Sequence, residues 1–401
     1  MSVLAGYRVV EIAHERTALA GKLLADMGAD VLIVEPPGGS ATRSYGPFKD
    51  DSPDPEGSLW WRHYGTSKRS VVLDLDTESG VADLGRLVRR ADVVIEAEEP
   101  GRLAALALDF ADVAADAPGL VWASITHSGR GMPSPPATDL TLMAEGGPVW
   151  SCGYDDHDLP PVRGGGNQAM QAGCHYAVMA VLAALYWREA SGRGQLIDVS
   201  MLGSLNVTTE FATLFWLNSG TIVQRQTGRH AMPTITEPTQ LRCRDGRWLN
   251  TGVPPRRRHE FAALRGWIEE LGLAEQCTQY ELLKLGDNYD LISIFQLEDD
   301  PLAGEVFQAG RDTIAFLGEH LGAQELFTGL QQRGMACGVI YSPEEMMADP
   351  HFVERGFPVE IDDGEGGVAV HPGAPYKFSA TPWAAQRAPR LGEHQDAIEE
   401  W

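Results

Sequence analysis

VVEIAHERTALAGKLLADMGADVLIVEPPGG, residues 9–39, is the stretch whose reading decides the fold. Tyr7 to Ile12 is a short apolar run that reads as a strand. Ala18 to Met27 then places its apolar residues at helical spacing, Gly28 closes the helix, and Val31 to Val34 reads as a second strand. The result is a unit of strand, helix and strand. Further strands follow at Ser70 to Leu75, Asp92 to Ile95 and Leu120 to Ile125, with the helical stretch Gly80 to Arg90 between two of them. This rhythm predicts an open α/β domain with a parallel sheet covered by helices. Such sheets bind ligands at the carboxyl ends of their strands, so the loops after Ile12, Val34, Ile95 and Ile125 are where a site is expected.

Farther along, Met170 to Ala190 is rich in Ala, Val and Leu and predicts a long helix, stopped at Gly192, Arg193 and Gly194 and followed by a strand at Gln195 to Val199. Ser200 to Trp216 reads as helical. From about Gln224 the character changes, with short strands around Leu241 and Trp248, a charged helical run from His259, and a helix-like Asp312 to His320. A smaller domain is expected there. Beyond Val339 the chain becomes Pro-rich and reads as an extended arm. The predicted division is 1–223, 224–338 and 339–401, the last segment returning to complete the first.

Composition narrows the function. The 401 residues are 43% hydrophobic and 8% aromatic, enough for a sizeable core. The balance of 32 Lys+Arg against 56 Asp+Glu gives a formal net charge of -24, which repels nucleic acid and anionic membranes. The basic cluster Arg256, Arg257, Arg258 and His259 lacks interleaved aromatics and reads as a solvated face. Cys152, Cys174, Cys243, Cys277 and Cys337 show neither a CxxC nor a zinc pattern. The start of the chain lacks a secretory pattern, and no run approaches the roughly 18 apolar residues of a membrane span. A cytoplasmic protein without a metal is expected.

Several familiar motifs are missing. Gly164, Gly165 and Gly166 lack the spacing and the Lys-Ser/Thr of a phosphate loop, and neither G-x-S-x-G nor H-E-x-x-H occurs. Asp155, Asp156 and Asp158 around His157 read as a solvated turn rather than a metal site. His175, on an apolar helix, reads as a satisfied core histidine before a general base.

Taken together, a series of blocks resembles the class III coenzyme A transferases, the carnitine dehydratase and bile-acid-inducible family. They are the opening stretch with Arg43 beyond it, SKRSVVLDL from Ser67, Pro100-Gly101, TDLTLMAEGG from Thr138, and REASGRGQLIDVSMLGSL from Arg188. GRHAMP from Gly228, YSPEEMMADPHFVERGF from Tyr341, APYKFSATP and APRLGEH complete the series. The resemblance implies a Rossmann-like large domain built from both chain ends, a smaller α+β domain from the middle, and two chains interlocked as a dimer. It implies coenzyme A or an acyl-CoA, together with a carboxylic acid, as ligands. It also places Arg16, Thr17, Arg43, Gly65, Thr66, Ser67, Lys68 and Arg102 at the coenzyme, where Ala97, Glu98 and Ala105 replace the family's usual residues.

The family's chemistry depends on an aspartate that attacks the acyl-CoA thioester, forming a mixed anhydride and then an enzyme-bound thioester. Its motif resembles P-x-R-x-G-x-x-x-x-D-x-x-A-G. Pro161, Arg163 and Gly165 match the fixed points, which puts Met170 at the aspartate; counting back from Ala172 and Gly173 offers Ala169 instead. Neither these nor Asn167, Gln168 and Gln171 can form an anhydride. One expectation is an aspartate-lacking subunit, in a homodimer or in a heterodimer with a related catalytic chain. Another is a racemase, isomerase or lyase using His127, Asp139, Glu145, Gln168 or His175 for acid–base chemistry. A non-enzymatic binding or scaffold role is the third.

Overall fold

Strands β1 (Arg8–Ile12), β2 (Asp30–Glu35), β3 (Arg69–Val72), β4 (Val93–Glu96), β5 (Val121–Thr126) and β6 (Leu196–Ser200) form one sheet, whose central strands β1, β2, β4 and β5 carry runs of buried apolar residues because both of their faces are covered, while β6 at the edge is partly exposed. The computed structural model describes residues 2–209, 211–293, 297 and 299–401. All neighbouring strands run parallel, in the order β3-β2-β1-β4-β5-β6. The α/β reading with a parallel sheet is therefore found. Strand order reverses between β1 and β4, and at such a point the loops diverge and leave a crevice.

Period-2 alternation sorts the strand residues between two cores. Val9, Val31, Val93 and Val121 face one way, packing against helix α1 (Ala18–Asp26) and the long helix Gln168–Ser191. Val10, Leu32, Val94 and Trp122 face the other, against Leu84, Leu87 and Val88 of a helix on that side, Glu78–Arg90. Ala397, Ile398 and Trp401 complete this second core.

The arm covers the exposed edge of β3. His394 N donates to Ser70 O at 2.9 Å, and the Gln395 side chain accepts from Val72 N at 3.0 Å and donates to Val72 O at 3.0 Å. An uncovered edge would offer unpaired amides for aggregation. The arm is not wholly extended, since Pro358–Asp362 and Val368–Pro372 form an antiparallel hairpin.

The long helix begins two residues earlier than expected and ends where Gly192 adopts a left-handed conformation, φ 68°, which a glycine adopts without Cβ strain. By length and composition it could cross a membrane, contrary to the expectation that no segment would. Its stripe of Met170, Gly173, Cys174, Ala177, Val178 and Val181 is buried in the first core. The expected helix Ser200 to Trp216 is divided into Met201–Asn206, a 3-10 turn at Val207–Thr209 and Phe211–Ser219; Glu210 lies outside the described residues.

The chain divides into two compact units, Met1–Arg225 with Asp349–Trp401, and Gln226–Ala348. In the second, Gln240–Arg242 and Cys337–Val339 flank Trp248–Thr251 in an antiparallel sheet. Helices Arg258–Glu270, Pro301–His320 and Ala323–Gln332 enclose a core around Leu249, Phe261, Leu264 and Leu317. Pro301–His320 starts well before Asp312 because Asp300 accepts from Ala303 N at 3.0 Å and Pro301 occupies the first turn.

Candidate functional site

Met170 lies in the first turns of the long helix, 5% exposed, with its side chain in the first core. The preceding loop is tied down by Asp139, the first residue of helix Asp139–Glu145. One oxygen of Asp139 accepts from Ala169 N at 2.8 Å, and the other pairs with Arg163 Nη1 at 2.9 Å. Arg163 Nη1 also donates to Gly164 O and Gly166 O, at 3.1 and 2.6 Å. Asp139 thus acts on the helix N-terminus, where a carboxylate is favourably placed. Gln168 is exposed and donates to Gly165 O at 2.8 Å.

His127 follows β5 and is 2% exposed. Its Nε2 stands 3.2 Å from Glu145 Oε2, and its Nδ1 lies 3.3 Å from Ser128 Oγ. A buried imidazole against a carboxylate that reaches solvent can hold and move a proton. His175 does not join this pair. It is exposed, with Nδ1 2.7 Å from Gln171 O, so its reading as a core histidine is corrected. Successive helical residues turn by about 100°, which carries His175 out of the stripe that buries Cys174.

Most of the residues assigned to the coenzyme are already engaged. Lys68 Nζ lies 2.7 Å from Glu11 Oε2 and donates to Ala18 O at 2.9 Å; both side chains are almost fully buried. Burial pushes the Glu11 carboxyl up, and Lys68 and the Thr17 hydroxyl oppose this. Thr17 Oγ1 donates to Glu11 Oε1 at 3.1 Å. The pair fits only because residue 21 is glycine, since a Cβ there would come within 1.8 Å of Glu11 Oε2.

Arg43 is 1% exposed. It holds Glu35 through Nε at 2.7 Å and Nη2 at 2.8 Å, reaches Glu56 at 3.1 Å, and stacks 3.8 Å from the Trp61 ring centre. Thr66 Oγ1 accepts from Lys22 Nζ at 2.6 Å and donates to Asp26 Oδ2 at 3.1 Å, while Ser67 Oγ donates to Asp26 Oδ1 at 2.7 Å. Gly65 packs against Trp61 and Ala388. Arg16 donates its backbone N–H to His14 Nδ1 at 3.0 Å.

Arg102 lines a cleft of about 410 Å³ at the carboxyl ends of β1 to β4. Ile12, His14, Pro36, Pro37, Asp74, Asp76, Glu98 and Glu99 contribute to the walls, and Arg102 Nε pairs with Glu98 Oε2 at 3.1 Å. His14 was missed as a site residue, although it sits in the loop after Ile12. Burial, then the nearby Arg16, lowers its pKa, and Nδ1 accepts from the Arg16 backbone N–H, which leaves Nε2 as the ring nitrogen that carries a proton.

Also unforeseen is an aromatic group from the helix Leu59–Tyr64 and the chain before it. Trp60 packs edge-on to Tyr45 at 5.5 Å and tilted on Tyr64 at 4.5 Å, and Tyr64 OH accepts from Gln171 Nε2 at 3.3 Å. Trp60 Nε1 is buried and, among the described residues, has no partner. The abundance of tryptophan was the only sequence signal for it. No group of three or more metal-ligating side chains forms among the described residues.

A family model described as CoA-transferase family III matches residues 4–395. The succinyl-CoA:(R)-benzylsuccinate CoA-transferase subunit BbsE of Thauera aromatica is 30% identical over 98% of this chain and 92% of its own length. The succinate–glutarate CoA-transferase of Agrobacterium fabrum is 30% identical over 98% and 94% respectively. Among solved structures, a CAIB/BAIF family protein from Brucella suis superposes with a TM-score of 0.79 at 26% identity, covering 100% of this chain and 99% of that one.

Proposed function

The chain belongs to CoA-transferase family III, and from that premise we propose that it works in acyl-CoA and carboxylic acid metabolism as the aspartate-lacking subunit of a hetero-oligomeric CoA-transferase. Met170 carries the reading. At the position assigned to the family's nucleophile stands an alkyl thioether side chain, 5% exposed in the core. It cannot attack a thioester. Asp139, the carboxylate bound to the neighbouring amide, has both oxygens occupied by Ala169 and Arg163. The nucleophilic carboxylate then belongs to a related catalytic chain.

Two further observations support a partner. One relative is itself named as a subunit of a CoA-transferase. The outer face of the long helix presents Tyr176, Met179 and Tyr186, and the helix Phe211–Ser219 presents Leu214, Trp216 and Leu217, all exposed. Apolar surface of this extent is suited to cover by another chain. We assign it to an interlocked dimer with the catalytic chain, in the cytoplasm. The test is co-expression with a related catalytic chain, copurification, and assay of CoA transfer with each chain alone and with both. The pair is expected to exceed either chain, and transfer by this chain alone would sink the reading.

The contact between His127 and Glu145 favours a second reading, proton exchange beside an acyl thioester by this chain alone. It requires deuterium uptake from heavy water into an acyl-CoA, lost in His127→Gln.

A further inference from the structure

The cleft at the strand ends has the position and size for a nucleotide but not the chemistry. A site for phosphates needs cations or free backbone N–H groups aimed at it. After β2 the wall is formed by Pro36 and Pro37, which have no N–H to give. Ser40 N already donates to Glu35 Oε2 at 3.0 Å. After β4, Glu98 N donates to Glu96 Oε2 at 2.7 Å and Arg102 N to Glu99 O at 3.0 Å. Asp76 N is likewise taken by Asp74 Oδ1, at 3.0 Å.

The charges point the same way. Asp74, Asp76, Glu98 and Glu99 line the cleft, with Glu35 held by Arg43 behind them. Arg102 is the arginine on the wall, and its guanidinium is paired with Glu98. Of the other three cations assigned to the coenzyme, Lys68 and Arg43 sit in buried ion pairs with Glu11 and Glu35, which leaves Arg16, beside His14, as a single cation against the carboxylates of the cleft. The 3′-phosphate of CoA alone adds about −1.5 to −2 charges. Placed here it would meet carboxylates at short range in a partly desolvated crevice, where like charges repel strongly.

We infer that Asp74, Asp76, Glu98 and Glu99 are specificity-determining residues that exclude the phosphorylated half of CoA from this chain's own cleft, so that CoA is held by the partner's. The inference rests on the subunit reading for its role, but the exclusion belongs to this chain alone and is measured on it.

The experiment is calorimetric titration of the purified full-length chain with CoA, 3′-dephospho-CoA and pantetheine at two salt concentrations. Wild type is expected to bind CoA with a Kd weaker than about 1 mM. Asp76→Asn combined with Glu99→Gln changes exposed side chains and leaves the ion pairs intact. It should strengthen CoA binding by about tenfold at low salt, less at high salt, and less for 3′-dephospho-CoA, because only the charge term has changed. Pantetheine, which carries no phosphate, should not distinguish the two proteins. Micromolar CoA binding by wild type, or equal CoA affinity in wild type and variant, overturns the inference. Neither result bears on whether the hetero-oligomer transfers CoA, which the paired assay decides separately.

Discussion

Lys68 shows how far a side chain's role depends on what lies opposite it. In sequence it is a cation three residues after Gly65, which the family resemblance puts at the coenzyme; in the fold its amine pairs with Glu11 inside the protein. Lys68→Ala is therefore expected to act on stability, by about 3–5 kcal/mol, because it leaves a buried carboxylate without its cation. Urea unfolding measures this, and a variant of unchanged stability would contradict the assignment. His63 offers a second test at this scale. Burial, then Lys22 and His371, pushes its pKa down from 6.5 to about 4, and its ring stacks on His371 at 6.3 Å. Arg62 and Asp26 also act on His371, whose own pKa is lowered mainly by burial. Between pH 6.5 and about 4 the unfolded chain takes up a proton that folded His63 refuses. Stability should fall through that window by up to about 3 kcal/mol and then level off for this group. His63→Phe should flatten that part of a curve of unfolding free energy against pH.

At the level of elements, the N-terminus of the long helix is organised from outside itself. Asn167, its N-cap residue, makes no side-chain capping bond, and Asp139 from another helix accepts Ala169 N instead. Asp139→Ala should lower stability by about 1–2 kcal/mol, the usual value of a cap with some added ion-pair loss. Amide exchange should quicken in the first turn of the helix and not in its last, and uniform exchange would refute the capping role. The elements were largely legible. Strands β1, β2, β4 and β5 lie within a residue or two of their expected bounds because a sheet buried on both faces writes continuous apolar runs. The helix Pro301–His320 was only half legible, since its buried stripe includes Ala303, Ala309, Gly310 and Thr313, which carry little hydrophobic signal.

For the molecule as a whole, the exposed aromatic and aliphatic side chains of the helices Gln168–Ser191 and Phe211–Ser219 are what the proposed partner would cover. Leu217 is 72% and Tyr186 83% exposed. Leu217→Asp with Tyr186→Asp should leave the stability of the isolated chain within about 0.5 kcal/mol, as surface changes do. The same pair should weaken association with the proposed catalytic chain by at least about tenfold, because a charge buried in an interface is strongly disfavoured. Copurification yield and sedimentation measure it, and assembly unaffected by both changes would place the interface elsewhere.

Residues 9–39 determined by themselves that the chain folds as a parallel α/β sheet, because strand and helix periodicities are local and apolar runs state how deeply each strand is buried. That residues 167–173 carry no carboxylate was likewise readable without coordinates. Which cations are free to meet a ligand was decided only by tertiary structure. Glu11 meets Lys68, and the arm reaches Arg43 through Pro389 O at 3.3 Å, across separations that no local pattern records. The acidity of the cleft has the same origin. The pairs Asp74/Asp76 and Glu98/Glu99 lie apart in the chain and come to one cleft only when the sheet orders β3, β2, β1 and β4 side by side. Charge acts through space, whereas periodicity acts along the chain.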